Sequence, residues 1–405
     1  MSLRRTLSSA WDHIQSYLFP ELKKEVGPLT DQHKRFITVL EVTRIDCFVE
    51  RWPNVPGRPP VSRASLARAF VAKAIFGLPT TKQLVERLTT DQTLRRLCGW
   101  ETNTQVPSES TFSRAFAEFA AADLPGRVHE VLIKTNLGDH LIGHIATDST
   151  VIEARERPVK IATPAAEPTK AVESTEPVET AELAAASEPA KSAKPKRKRG
   201  RPRKGEEPPP AEPTQLQRQR TMTVPEMVAE LPKHCNVGCK CDSKGYKTTW
   251  IGYKLHIDTA DGDIPVSCLL TSASVHDSQV AIPLIRITGG RVTYLYDVKD
   301  KAYDAAEIRE ESEAQGHVPL IATNPRRKKE AHETEERAKR HANYQEAHTI
   351  RYNQRSSAER VNSNLKDNYG AKNVRVRGHA KVYCHLMFGV LACATEQLIR
   401  LITPS

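Results

Sequence analysis

The chain has 405 residues, enough for two or three domains and a sizeable hydrophobic core. Its 60 Lys and Arg residues outnumber its 49 Asp and Glu residues, and the formal net charge of +11 favours a polyanionic partner such as DNA or RNA. No continuous apolar run follows the first basic residues, and the most apolar stretch, Leu386–Ala394, is too short to cross a bilayer. With eight scattered cysteines, these features indicate a cytoplasmic protein without a signal peptide, membrane span or structural disulfides.

Apolar residues recur at helical spacing through residues 1–140, which predicts an all-α N-terminal domain. The pattern is clearest in Ser62–Gly77, where Ser62 or Ser65 is a candidate N-cap. Short helices joined by tight turns are typical of helix-turn-helix DNA-binding domains, and also of small bundles without that function. Pattern alone leaves both interpretations open.

The residue pattern and the composition change after this helical region. A short apolar strand, His144–Val151, carries a carboxylate at Asp148. Residues 159–214 are then rich in Ala, Pro, Glu and Lys. Because such a composition cannot bury enough apolar surface to fold, we expect a disordered insert that divides the second domain into residues 141–158 and 215–405.

The insert contains a basic run, Lys194–Gly205, with a particular core: Arg199, Gly200, Arg201 and Pro202. This core resembles an AT-hook, in which an extended Arg-Gly-Arg segment enters the narrow minor groove of A·T-rich DNA. The glycine allows close approach, the proline stiffens the extended path, and flanking cations meet phosphates. The alternative is a generic basic tether, but basic runs are common and this core is not, so we favour minor-groove binding.

A short segment after the insert concentrates four soft metal ligands: His234, Cys235, Cys239 and Cys241. Zinc sites usually combine one such pair with a second pair elsewhere in the chain. No distal pair is apparent here, so ordinary loop thiols are favoured over a zinc site.

The rest of the chain alternates strand-like and helix-like runs. After the strand around Asp148, further strands are predicted at Thr248–Asp258, Ile264–Ala273, Arg291–Val298 and His317–Thr323. Helices are predicted after the third, fourth and fifth strands, and an apolar helix closes the chain. Three adjacent strands followed by alternating helices and strands indicate an α/β fold with a mixed sheet of the ribonuclease-H type.

Three carboxylates fall at related points of that order. Asp148 lies in the first strand, Asp300 just past the fourth, and Glu359 on the helix after the fifth. In a ribonuclease-H-type sheet the first and fourth strands are neighbours, so the three groups can converge. Converging like charges raise each other's pKa, and two Mg²⁺ ions would neutralise them and clamp a phosphoryl displacement. Asp297 is the alternative ligand to Asp300, and either could instead cap a turn.

The helix that contains Glu359 has a polar seam. At about 100° per residue in one continuous helix, Tyr352, Arg355, Glu359 and Lys366 lie within roughly 60° of arc. The apolar residues Ala358, Val361 and Leu365 point away and can face the core. A solvated helix surface would scatter charges of both signs without needing the tyrosine. The seam therefore favours a phosphate-handling site, with Glu359 binding metal and the other three gripping phosphates.

These residues resemble the Y-R-E-K signature of bacterial insertion-sequence DDE transposases. The family pattern is Tyr, two residues, Arg, three residues, Glu, six residues and Lys, and every interval matches from Tyr352 to Lys366. The segments around Asp148 and Asp300 and the N-terminal helical region are similar to those of the same family. The resemblance covers nearly the whole chain apart from the insert.

The resemblance implies a transposase that cuts double-stranded DNA at element ends and joins the freed 3′-OH to target DNA. It implies Asp148, Asp300 and Glu359 as ligands of two Mg²⁺ ions, for which Mn²⁺ would substitute. It also implies that the N-terminal helical domain, residues 1–140, binds DNA and helps to recognise terminal inverted repeats, and that a homodimer bridges two ends. One position departs from the family pattern: Ala302 replaces the usual glycine after Asp300. If that turn required positive φ, Ala302 would strain it, and the alternative is a catalytically impaired DNA-binding derivative.

Overall fold

A computed structural model of the chain describes residues 3–49, 60–159, 213–241, 245–323, 337 and 347–402. Nearly all of these belong to one compact unit, formed by Met1–Val159 and Gln215–Ser405. The predicted disordered insert lies outside the described residues, except for its outermost positions. The AT-hook-like core lies outside them as well.

In its described residues the N-terminal region consists of helices joined by turns and loops, as predicted. Its helices are α1 (Leu3–His13), α2 (Phe19–Val26), α3 (Asp31–Thr43), α4 (Arg63–Ile75), α5 (Thr81–Thr90), α6 (Gln92–Leu97), α7 (Glu109–Ala121) and α8 (Leu124–Leu137). The hydroxyl of Ser62 accepts a hydrogen bond from the Ser65 N–H at the start of α4, so Ser62 is the N-cap of that helix.

Six strands and seven helices follow in the described part of the chain. They are β1 (Leu141–Glu153), α9 (Gln215–Gln219), α10 (Val224–Glu230), β2 (Asn236–Cys241), β3 (Lys247–Ala260), β4 (Ile264–Ser272), α11 (Ser278–Gly289), β5 (Thr293–Lys299), α12 (Ala306–Ala314), β6 (Val318–Ile321), α13 (Ala347–Tyr352), α14 (Ser356–Asn368) and α15 (His379–Arg400). The sequence predicted β1, β3, β4, β5 and β6 with small shifts at their ends, but not β2, α9 or α10.

The strands form one mixed sheet in the order β2-β3-β1-β5-β6, with β4 paired to β3. β1 runs antiparallel to β3 and parallel to β5, and β3 runs antiparallel to β4. Without β2, the strands stand in the order third, second, first, fourth, fifth along the chain. This is the ribonuclease-H-like arrangement, so the predicted fold class is confirmed.

Two helices cover opposite faces of the sheet next to its central strands. Helix α14 packs against β1 and β3, and its Asn362 contacts Asp148. Helix α11 packs against β3 and β4, and its Thr288 contacts Asp258. Because successive side chains of a strand point to opposite faces, each central strand presents alternate residues to α14 and to α11.

The closing apolar helix α15 joins the N-terminal helices to the sheet. It packs against α4, α7, α8 and β4, and the ring of Phe388 lies 5.8 Å from that of Phe70. Within the described residues α15 is the one helix long and apolar enough to cross a membrane, but 83% of its apolar window is buried inside the protein. It is therefore a core helix, as its packing requires.

Candidate active site

Two of the predicted carboxylates lie side by side on the central strands. Asp148 is in β1, and Asp300 immediately follows β5. In the parallel pairing of these strands Thr147 stands opposite Lys299, so each aspartate comes one residue after a paired position. Both side chains are partly buried. The strand order therefore brings together two acids that are 152 positions apart in sequence.

Asp148 lies under α14 in a partly desolvated position. The side-chain amide of Asn362 donates to its Oδ2 at 3.0 Å. Burial raises the pKa of this carboxyl, and the Ser149 N–H, the charges of Lys240 and Arg355, and the Asn362 amide act against that rise. A carboxylate in this setting gains from an additional positive charge nearby.

Asp300 is the N-cap of a short 3₁₀ turn, Lys301–Tyr303. Its Oδ1 accepts a hydrogen bond from the Ala302 N–H at 2.9 Å. Among the described non-glycine residues, positive φ occurs at Arg44, Asp123 and Asp263. Ala302 is not one of them, so the turn does not require the conformation that a glycine would ease. The condition under which Ala302 would strain the site is not met.

The segment with the Y-R-E-K spacing is not one continuous helix, and this part of the prediction is wrong. Helix α13 ends at Tyr352, a 3₁₀ turn spans Asn353–Arg355, and α14 begins at Ser356. A 3₁₀ turn winds more tightly than an α-helix, so a single angle per residue does not apply across it. The prediction for the apolar side of the helix is confirmed, since three residues are buried: Ala358, Val361 and Leu365.

Three side chains of the polar seam, those of Tyr352, Arg355 and Glu359, nevertheless interact with one another. Arg355 Nη2 donates to Glu359 Oε1 at 2.6 Å, and the Glu359 side chain is 54% exposed. Burial raises the pKa of the Tyr352 phenol; Arg355 opposes this, while Asp300 and Glu359 add to it. The 3₁₀ turn Asn353–Arg355, which follows Tyr352, contacts both β1 and β5. The seam thus stands beside the two strand carboxylates.

Two lysines add positive charge to the same place. Burial lowers the pKa of Lys366, and the neighbouring charge of Lys240 acts in the same direction, while Glu153 and Asp148 oppose it. Lys240 is exposed and belongs to β2. Lys240 could not be assigned to the site from the sequence. Strand β2 is short and contains one glycine and two cysteines, which hide its alternating pattern.

Asp297, the alternative ligand, belongs to the opposite face of the sheet. It is fully buried, and its Oδ1 accepts from Lys299 Nζ at 2.5 Å. Because Asp297 is three residues from Asp300, strand alternation turns the two side chains to opposite faces. Asp297 therefore has a structural partner and no access to the side that holds Asp148.

The described side chains of the candidate site do not surround a metal-binding position. Within the described part of the chain, no group of three or more His, Cys, Asp or Glu side chains is arranged to hold a metal ion. Among the carboxylates, Glu359 is paired with Arg355. At the cysteine-rich segment, Cys235 is buried while Cys239 and Cys241 are exposed on β2, and all three are free thiols.

The comparisons with known proteins match two segments of the chain, and Asp148 lies outside both. Residues 229–394 match the family model described as Transposase DDE domain, which includes Asp300 and Glu359. Residues 24–118 match the model described as Transposase domain (DUF772). No curated protein and no solved structure matches the chain. The chain thus matches two transposase family models, which is consistent with an insertion-sequence DDE transposase.

Proposed function

We propose that the chain is an insertion-sequence transposase that cleaves phosphodiester bonds at element ends and transfers the 3′-OH to target DNA. The observation that carries this proposal is the position of Asp148 and Asp300 on adjacent parallel strands, with Glu359 on the helix that covers them. The match to the transposase DDE domain supports the same activity. Terminal inverted repeats and target DNA are the proposed substrates, and a homodimer on DNA is the proposed assembly.

The donor set suits Mg²⁺, with Mn²⁺ as a substitute. Asp148, Asp300 and Glu359 would supply the hard oxygen ligands that these ions prefer. Burial raises the pKa of Asp148, and a bound cation would offset that cost. When bound, two such ions supply activation of the attacking oxygen and neutralisation of charge in phosphoryl transfer.

The chain's own cations would hold the DNA. Arg355, Lys366 and Lys240 stand around Asp148 and would contact phosphates, with Tyr352 donating a further hydrogen bond. Arg355 and Glu359 are paired in the structure. We propose that Glu359 exchanges Arg355 for the metal, which releases the guanidinium to bind a phosphate. Bidentate geometry makes arginine well suited to that role.

The test is Mg²⁺-dependent cleavage of a duplex that carries the end of the element, measured with the full chain. Glu359→Gln keeps the size of the side chain but removes its charge, and we expect cleavage to be lost while DNA binding in a gel-shift assay persists. Asp367→Asn is the matched control, because it removes an exposed negative charge from the same helix outside the seam. Cleavage at the wild-type rate by Glu359→Gln would contradict the proposed role. DNA binding without cleavage by the wild-type protein would favour a catalytically impaired derivative instead.

A further inference from the structure

A polar cluster is buried directly behind the candidate active site. We call it the buried polar cluster, and its members are all at most 1% exposed: Thr147, Asp258, Thr288, Asp297 and Lys299. They come from strands β1, β3 and β5 and from helix α11. None of them belongs to the proposed metal or phosphate contacts. A cluster of charges in a protein core has a desolvation cost, so its presence calls for an explanation.

Short hydrogen bonds connect all five members. Lys299 Nζ donates to Asp297 Oδ1 at 2.5 Å and to Thr147 Oγ1 at 2.7 Å. Thr147 Oγ1 in turn donates to Asp258 Oδ1, and Thr288 Oγ1 donates to Asp258 Oδ2, each at 2.6 Å. The chain of contacts therefore ties three neighbouring strands to each other and to the helix on that face.

Charged side chains are not the most stabilising way to fill this buried space. Burial raises the pKa of Asp258, with Asp297 adding to the rise and Lys299 and the two threonine hydroxyls opposing it. Well-packed apolar residues in place of buried ion pairs are often as stable or more stable. Directional hydrogen bonds between buried side chains add to the apolar pattern in fixing the register of the strands.

The position of the cluster connects that register to the active site. Thr147 and Lys299 stand opposite each other on β1 and β5, and each is followed directly along the chain by one of the two carboxylates, Asp148 and Asp300. Alternation turns the first pair towards α11 and Asp148 towards α14. The hydrogen bond between Thr147 and Lys299 therefore fixes the two backbone segments from which the carboxylates project.

We propose that the buried polar cluster positions Asp148 and Asp300, and that it sets the spacing on which their affinity for a divalent cation depends. The inference rests on the proposed function, since it assumes that these carboxylates bind the metal. Its members are positioning residues, because none of them contacts the substrate or the metal. Groups that hydrogen-bond metal ligands commonly change metal affinity by about 10- to 100-fold when they are replaced, and the cluster fixes the backbone next to the ligands instead.

Two matched variants test this proposal. Thr147→Val and Thr288→Val each remove one buried hydroxyl that donates to Asp258, and both keep the shape of the side chain. Thr147→Val also removes an acceptor of the buried Lys299 ammonium, so we expect the larger loss of stability in urea unfolding for that variant. Mn²⁺ binding to the full chain, measured by electron paramagnetic resonance of the free ion, should weaken at least about tenfold in Thr147→Val. It should change less than about twofold in Thr288→Val, and Thr147→Ser should restore it.

The outcomes separate the positioning role from general destabilisation. Equal Mn²⁺ affinity in Thr147→Val and the wild-type protein would overturn the inference, and so would an equal loss in Thr147→Val and Thr288→Val. If Thr147→Val does not fold, Thr147→Cys, which has a much weaker donor, carries the same prediction. A wild-type protein that binds no Mn²⁺ would remove the proposed metal site as well. Wild-type binding with an unaffected Thr147→Val would remove the positioning role alone.

Discussion

The central strands β1 and β5 show two contrasting faces of the same sheet. On the face covered by α14, Asp148 is partly buried and has an amide and nearby cations as partners. On the face covered by α11, Asp297 is fully buried and paired with Lys299. One face holds carboxylates that we propose bind a cation, while the other holds carboxylates that already pair with Lys299 or with threonine hydroxyls.

The role of an acid in this sheet therefore depends on the face to which strand alternation turns its side chain. Asp297 and Asp300 lie three residues apart, yet one neutralises a buried lysine and the other caps a turn beside the seam. Their closeness in the sequence does not show which of the two acids has which role. Replacing one acid from each face should therefore have opposite effects on activity and on stability.

The largest expected effect is on catalysis from the α14 face. Asp148→Asn should lower the single-turnover cleavage rate by at least about three orders of magnitude, or about 4 kcal/mol, because a metal ligand is removed. Its unfolding free energy should be unchanged or higher, since burial disfavours the charged form of this side chain. Cleavage within tenfold of the wild-type rate would contradict the assignment of Asp148.

The next effect is on stability from the α11 face. Asp297→Asn leaves Lys299 buried without its charged partner and should cost about 3–5 kcal/mol in urea unfolding. The control is Asp263→Asn, which breaks a pair with Arg360 whose side chain is 55% exposed, and it should cost no more than about 1 kcal/mol. Equal losses in the two variants would show that burial of the Asp297 pair has no special importance.

A smaller effect on the same face depends on pH. His256 is fully buried, and its Nε2 lies 2.9 Å from Thr271 Oγ1. Burial lowers its pKa to about 4, with Lys254 acting in the same direction and Asp277 opposing.

As pH falls, His256 is therefore protonated in the unfolded chain before it is protonated in the folded protein. Neutral His256 stabilises the folded state above about pH 6.5, and this contribution is lost towards pH 4. Between pH 6.5 and 5 the loss should be about 2 kcal/mol, and His256→Gln should remove that part of the pH dependence. His276→Gln, at an exposed histidine, should leave it unchanged. The same pH profile in His256→Gln and the wild-type protein would contradict this account.

The smallest effect concerns DNA affinity at the α14 face. Lys240→Gln removes one proposed phosphate contact, so the slope of log affinity against log salt concentration should fall by about 0.9. Lys134→Gln is the control, because that lysine is paired with Glu130 at 2.7 Å on another part of the surface. Fluorescence anisotropy with a labelled duplex measures both slopes. Equal slopes in Lys240→Gln and the wild-type protein would exclude Lys240 from the DNA contacts.

The order of the principal strands could be predicted because their apolar runs are bounded by clear turns. Likewise, the spacing of Ala358, Val361 and Leu365 indicated the buried side of α14, and these residues are buried. Such features depend on residues that are close in sequence, where periodicity carries information.

The remaining features could not be predicted because they depend on contacts between distant residues. The hydrogen bond from Lys299 to Thr147 joins positions 152 residues apart, and nothing local distinguishes Asp297 from Asp300. The 3₁₀ turn before α14 also has no clear local signal, since Asn353–Arg355 would suit either helix type. Lys240 reaches the site only because β2 adds to the sheet.

The most direct test of the central claim is the position of Mn²⁺ in crystals of the full chain bound to a duplex with the element end. Anomalous scattering from the ion locates it without assumptions about its ligands. We predict Mn²⁺ bound by Asp148, Asp300 and Glu359, with Glu359 no longer paired to Arg355. Mn²⁺ bound elsewhere, with Glu359 still paired to Arg355 and no ion between the two strand carboxylates, would contradict the account.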